Sequence, residues 1–429
     1  MSLSVYVKHA LKTSMRPIAC GFLVRLMVLV ALLSTGVQSA HVQGYFSTST
    51  YTFSRRSLED STHLHFRLYQ SALVRATDLL LDKSRLTFSG IFYTDPISSF
   101  DNEPVFQVYQ LNYLTQWFQG YLTATIGRQF VYSASGSGRM DGMKLEYNLK
   151  KLRLTGFAGG YVPASGMTTE PVKNRFLGLE VRWRPNQQLD LRVGYLDKAH
   201  GRTVYRSAYL RNTEVPATIQ RRLGLQGRWQ GGSWSVFLRN RFKIAPEQLA
   251  DLTVQLARQV RRTSRLQNLV VEYNLREPQV PDNSIFSVFN ASPYQEIRVQ
   301  GQVRVTGQLI SFTEVRHIIL RDDQATDVTL GLRHGAYSLV LRNQAGYGGA
   351  GSQLLLTGNQ QVGGIAIEGR LSLGNYRLLE GTWNDLATAT LQGSLPLGKR
   401  LVLITELQVL RNKYYARDAR LFTGLKYSL

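Results

Sequence analysis

The residues best suited to chemistry are few and scattered. His63 and His65 share one face of a strand and could begin a metal site, but no third ligand lies near, so a solvated pair is expected. Asp322, Asp323 and Asp327 bring carboxylates together as calcium requires, yet without EF-hand spacing, which predicts a solvated loop. Gly346-Tyr-Gly-Gly-Ala-Gly351 matches G-x-G-x-x-G. No helical pattern follows to offer an N-terminus to a pyrophosphate, so the stretch reads as a turn. His200, His317 and His334 are available as bases, but no spacing ties any of them to a serine nucleophile. The expectation is a protein that is not an enzyme, with no catalytic residue, metal or cofactor.

What recurs instead is arginine opposite an apolar residue, strand after strand. Leu177, Leu179, Val181 and Trp183 alternate with Gly178, Glu180, Arg182 and Arg184; after Pro185-Asn186, Leu189, Leu191, Val193 and Tyr195 alternate with Asp190, Arg192 and Gly194. Leu223, Leu225 and Trp229 oppose Arg222, Gln226 and Arg228; Trp234, Val236 and Leu238 oppose Ser235, Arg239 and Arg241. Further on, Arg298, Arg304 and Arg370 also take the polar parity, against the fewer acids Glu180, Asp190, Glu296 and Glu368. Side chains two apart point to one face of a strand, so one face is greasy and the other positively charged.

The elements that carry this pattern are hairpins. The segment Tyr121 to Leu154 reads as a membrane-spanning one: Leu122, Ala124 and Ile126 go out, Ser133 to Gly138 turns, and Met143, Leu145, Tyr147 and Leu149 return opposite Lys144, Glu146, Asn148 and Lys150. Arg128 falls on the apolar parity. Either Gly127 makes a bulge that resets the register, or Arg128 lies at a rim beside lipid phosphates. Strands are also expected over Gly44 to Ser54, around Leu64 to Tyr69, over Arg85 to Thr94 and over Val105 to Trp117. Pro246 to Arg265 fits helix or strand, with strand favoured by its neighbours. Trp183, Trp229 and Trp234 sit beside turns, where interfacial girdles belong.

Loops appear short and no linker interrupts the pattern, so residues 41–429 are expected to form one all-β unit. Alternating runs give roughly 22 to 26 strands at about 15 to 16 residues per strand plus turn. A single closed antiparallel transmembrane β-barrel is the economical arrangement, because it leaves no edge and pairs every backbone group in lipid. Neither a fixed repeat for a solenoid nor linkers for tandem sandwiches can be found.

Residues 1–40 carry Lys8, Lys12, Arg16 and Arg25 without an acid, then the apolar run Leu26 to Leu33, then small residues. Those about 8 apolar residues fall short of the roughly 20 of a spanning helix, which predicts a secretory signal peptide. Its removal would leave 47 basic against 29 acidic residues, a charge of +18, and would take away Cys20, the chain's one cysteine. Disulfides and thiolate chemistry are thereby excluded from the remainder. The basic residues are dispersed singly rather than gathered in a tract, which argues against nucleic acid.

The signal, the run of alternating hairpins and the last strand, Arg420 to Leu429, together resemble the Gram-negative outer-membrane β-barrels, porin-like in general. Leu421, Leu425, Tyr427 and Leu429 are similar to the C-terminal signal read by the barrel-assembly machinery, although Leu429 stands where such strands usually end in an aromatic residue. Gly127-Arg-Gln129 with Arg139 and Asp141-Gly142 also looks like a phrase of some porin-like export barrels; no substrate is carried over from it. The resemblance implies a chain secreted across the inner membrane into the outer one, with lipid and the assembly machinery as partners.

The expected function is a passive or weakly selective channel for small polar solutes. Arg182, Arg184, Arg192, Arg222, Arg228, Arg239, Arg241, Arg298, Arg304 and Arg370 would line its lumen and favour anions. The alternative is a barrel that sheathes a periplasmic or lumenal protein partner, such as export machinery or an electron carrier. Both termini are expected in the periplasm, with an even strand number.

Overall fold

In the computed structural model, residues 41–429 are described except for 57–61, 80, 97–103, 164–173, 202, 206–212, 216–217, 246, 261–264, 278–292, 348, 378–380 and 413–417. The signal-peptide expectation over residues 1–40 lies outside the described residues.

The strands, in chain order, are β1 (His41–Arg56), β2 (Thr62–Thr77), β3 (Arg85–Thr94), β4 (Val105–Trp117), β5 (Leu122–Ser133), β6 (Gly136–Asn148), β7 (Leu152–Val162), β8 (Arg175–Trp183), β9 (Leu189–His200), β10 (Thr203–Tyr205), β11 (Thr213–Val215) and β12 (Thr218–Gly231). They continue as β13 (Trp234–Ile244), β14 (Glu247–Gln259), β15 (Leu266–Arg276), β16 (Tyr294–Thr306), β17 (Leu309–Ile319), β18 (Gln324–His334), β19 (Tyr337–Gly346), β20 (Ala350–Val362), β21 (Ile365–Arg377), β22 (Asn384–Pro396), β23 (Leu401–Arg411) and β24 (Asp418–Ser428). β10 and β11 form a small hairpin of their own. The other 22 strands pair with their neighbours in one antiparallel sheet, with β9 passing directly to β12.

The sheet closes where β24 pairs with β1, from Thr52 opposite Leu421 to Tyr45 opposite Ser428, and Leu429 N–H donates to the Gly44 carbonyl at 3.0 Å. Tyr427 and Leu429 pack there beside Phe46, Ala72 and Val74. The strand number is even and at the low end of the expected range. With strands about 4.8 Å apart and tilted about 40°, a circular barrel of this size measures about 44 Å between backbones. The one helical turn among the described residues, Phe118–Gly120, links β4 to β5.

Alternation becomes two-sidedness. Leu145, Leu179, Val193, Leu223, Leu225, Leu371 and Leu425 all stand exposed on one parity. That is the surface of a barrel meant to meet lipid. Glu247–Gln259 is a strand, as its neighbours suggested, and the G-x-G-x-x-G stretch is a tight turn from the end of β19 at Gly346 into β20 at Ala350, with the Gly349 N–H donating to the Gly346 carbonyl at 2.8 Å. The expectation of uniformly short loops is corrected. One end of the barrel has turns as tight as Gly232-Ser233, Gly335-Ala336 and Gly363-Gly364, whereas the other carries the long connections 163–174, 201–217 and 277–293. β1 begins and β24 ends at the short-turn end.

Leu225 lies mid-strand opposite Val193, whereas Leu191 is the third residue after the 184–188 turn. Leu225→Arg should therefore cost about 2–4 kcal/mol and Leu191→Arg about 0–1 kcal/mol, read as shifts in urea unfolding midpoint in lipid vesicles. Equal costs would contradict the assignment of depth. Deleting Leu421 to Leu429 removes the closing strand and leaves β1 unpaired in lipid, so heat-modifiable migration on gels should be lost. Migration like that of the full chain would show that closure at β1 and β24 is dispensable.

Candidate functional site

The hairpin of β5 and β6 is where the structure departs most from the sequence reading. β5 pairs with β4 only from Leu122 to Arg128, and β6 pairs with β7 from Arg139 to Asn148. Beyond those residues the two strands continue as a pair by themselves to Ser133 opposite Gly136, turning at Ala134-Ser135. The span from Gln129 to Ala134 reaches about 20 Å at about 3.3 Å per residue.

That tip is not in solvent. Ala134 and Ser135 are 1% and 0% exposed. The Ala134 N–H donates to Glu180 on β8 at 2.6 Å, and its carbonyl accepts from Arg241 Nε on β13 at 3.3 Å. Ser135 Oγ lies 3.3 Å from where a Cβ on Gly194 of β9 would be, and a Cβ on Gly224 of β12 would overlap the Ala134-Ser135 backbone. A hairpin rooted at β5 and β6 reaches β12 and β13 by a short path only through the interior. The tip is folded into the lumen and laid against its wall.

Apolar packing holds it there. Val131 on the tip and Met140 at its root meet Phe157, Phe176 and Leu196, which project from the inner face of β7, β8 and β9, with Tyr161 against the cluster. Burial of a side chain of this size contributes about 1.5–3 kcal/mol. A hydrogen bond to a charged group contributes about 1.5–3 kcal/mol. An exposed ion pair contributes about 0–1 kcal/mol, so the apolar face and the clamp on Ala134 dominate over surface charge.

The bend at the root needs small residues. Gly127, at φ +110°, sits opposite Gly142, which sits opposite Gly159, and a Cβ on any of the three would overlap backbone of the neighbouring strand. Neither alternative offered for Arg128 is realised. The register runs unbroken through Gly127, and Arg128 forms a two-pronged pair with Asp141 at 2.7 and 2.7 Å while donating to the Val108 carbonyl at 3.2 Å.

The arginines predicted for the lumen are gathered around shared carboxylates. Arg182, Arg184 and Arg192 surround Asp190 at 2.5, 2.9 and 3.6 Å, and Arg239 and Arg241 share Asp251 at 3.3 and 3.3 Å. Arg298 pairs with Glu314 at 3.0 Å and Arg370 with Glu368 at 2.6 Å. Arg304 donates to the Gln267 side-chain oxygen at 2.6 and 2.8 Å once that amide is oriented to accept. Arg222 is buried on β12 and Arg228 is exposed further along it. Arg316 and Arg342 on Asp327 follow the same plan, whereas Arg175 and Arg221 share Asp197 on the apolar parity, beside the long connections 163–174 and 201–217.

Two polar readings are corrected. Asp327 belongs to β18 and is locked by its two arginines, not part of a solvated loop. His65 is buried and bonded to Asp95 at 2.8 Å, so it is not solvated; the His63 side chain lies outside the described residues. The sequence reading missed the docked tip altogether. Phe157, Phe176 and Leu196 break the alternation by placing apolar groups on the polar parity, and Gly194 and Gly224 inside strands signal close backbone approach.

The architecture is a closed 22-stranded antiparallel β-barrel. Among solved structures the chain is similar to the translocation pore of the P pilus usher PapC, at TM-score 0.48 and 10% identity over 90% of this chain and 99% of that one. It is also similar to Acinetobacter baumannii OccAB3 (TM-score 0.43, 11% identity, 90% and 99% coverage). Pseudomonas aeruginosa OccK2, solved with glucuronate, follows at TM-score 0.42 and 10% identity over 90% and 98% of the two chains. No family model and no curated protein matches the sequence.

Replacing Gly224 with Val should displace the tip while leaving the barrel closed. Trypsin should then cut at Arg128 or Arg139, which the docked form protects, with heat-modifiable migration retained. A digestion pattern identical to that of the unaltered protein would show that the tip is held without the Gly224 contact.

Proposed function

We propose that the protein is a non-enzymatic outer-membrane channel for small polar solutes, weakly selective for anions, with its short-turn end in the periplasm. The observation that carries this reading is the sharing of carboxylates on the polar parity. Seven arginines, Arg182, Arg184, Arg192, Arg239, Arg241, Arg316 and Arg342, are distributed over three carboxylates, Asp190, Asp251 and Asp327. Each cluster keeps a net positive charge, and low-dielectric walls focus the resulting potential.

The magnitude is modest for two reasons. Nearly half of that cationic charge is met by a carboxylate at the wall, and a wide aqueous lumen screens the rest over about 8 Å at physiological salt. Arg222, Arg228, Arg298, Arg304 and Arg370 complete the proposed lining. Leu421, Leu425, Tyr427 and Leu429 on the closing strand are proposed as the signal for the assembly machinery, with outer-membrane lipid as the other partner. In the alternative reading, a sheathed protein would have to meet the wall away from β7 to β9, which the chain's own hairpin covers.

Reversal potentials in a KCl gradient across a planar bilayer test the assignment. A small chloride preference is expected at low salt, fading as salt rises. It should shrink when Arg182, Arg192 and Arg239 are changed together to Gln. A potassium preference at low salt, or a preference indifferent to the triple change, would remove the basis for anion selectivity.

A further inference from the structure

The docked hairpin has two faces, and only one takes part in its apolar packing. Val131 and Met140 point at the wall, so the residues on the opposite parity of the same two strands look toward the barrel axis. Those residues form three cross-strand pairs: Arg128 with Asp141, Phe130 with Arg139, and Tyr132 with Ser137. Side chains paired in this way stand about 4.5–5.5 Å apart at Cβ.

The first pair is closed on itself, since Arg128 and Asp141 satisfy each other. The other two are not. Tyr132 is 79% exposed and Phe130 44%, although Val131 between them is only 2% exposed. Their rings lie 4.4 Å apart between centroids, tilted by 49°. Beside them the Arg139 guanidinium lies over the Tyr109 ring at 5.5 Å and donates to the Val108 and Pro163 carbonyls at 3.4 and 3.5 Å. Among the described residues no carboxylate forms an ion pair with Arg139.

Two exposed rings on a rigid, wall-backed support, with a guanidinium lacking a carboxylate one strand away, have the composition of a recognition surface. Rings gain from offset or edge-on contact with another flat face, and a guanidinium over an aromatic ring still has N–H groups for an anion.

We propose that Phe130 and Tyr132 form a stacking subsite in the lumen for solutes with a flat ring face, and that Arg139 engages an anionic substituent on that ring. The proposal rests on the channel reading for its meaning in transport, but the subsite itself is a binding claim that can be tested without conduction.

Benzenesulfonate and methanesulfonate carry the same charged group and differ in the ring. In planar bilayers benzenesulfonate should interrupt the ionic current at concentrations where methanesulfonate does nothing. Phe130→Ala with Tyr132→Ala should raise the half-blocking concentration by about tenfold. Tyr132→Phe should leave it unchanged, because the ring and not the hydroxyl makes the contact. Arg139→Gln should weaken block by benzenesulfonate and spare block by the uncharged benzyl alcohol. Saturation-transfer NMR on the detergent-solubilised barrel gives the second readout. Ring protons of benzenesulfonate should be saturated by the unaltered protein and not by the double alanine variant.

Equal response to the two sulfonates, or saturation unaltered in the double variant, would overturn the subsite. A protein that does not conduct but still saturates the ring protons would overturn the channel reading and leave the subsite standing.

Discussion

Every backbone N–H and C=O that enters a bilayer must find its partner within the protein, because an unpaired one costs several kcal/mol and no water is there to relieve it. The rest of the molecule follows from that demand. Helices could meet it locally, but the strand period in this sequence rules them out, so the pairing must be between strands and must close. Closure comes from His41–Arg56 meeting Asp418–Ser428, residues nearly the whole described chain apart. Once the ring is closed, the two parities acquire different solvents, and the alternation of Leu and Val with Arg becomes a radial division between lipid and lumen.

The hairpin of β5 and β6 shows what the same constraint permits inside the ring. Above Arg128 β5 gives up β4, and beyond Arg139 β6 gives up β7, which lipid would not allow and an interior does. The clamp at Ala134 and the packing of Val131 and Met140 replace part of what the wall would have provided. Gly127, Gly142 and Gly159 allow the turn inward, and Gly194 and Gly224 allow the close approach at its end.

Much of the barrel was legible in the sequence because alternation is a local signal. Leu177 to Trp183 against Gly178 to Arg184 states both the strand and its two environments without reference to any other segment. Strand ends near Arg85–Thr94 and Val105–Trp117 were also readable, since turn residues border them. The tip was not, because its contacts are made across long separations. Nothing near Ala134 announces Arg241, and Arg128 on the apolar parity invited local explanations when its partner was Asp141, thirteen residues on. The pairing of two or three arginines with one aspartate was hidden for the same reason. Asp251 and Asp327 were not recognised as polar-face acids, although each anchors two guanidinium groups on the adjoining strands.

The Ala134 clamp also fixes an order of events during maturation. Its acceptor on β8 and its donor on β13 lie 46 and 107 residues downstream of the residue they hold. The tip can settle only after that stretch of wall has been laid down, and loop closure over such separations is slow compared with forming the hairpin itself. Until then Val131, Met140, Phe157, Phe176 and Leu196 face water together, an oily surface on the side of the sheet that lipid will never cover. A chain in transit to its membrane therefore carries two kinds of sticky surface. Lipid removes one, and the other disappears only when the tip folds onto the inner wall.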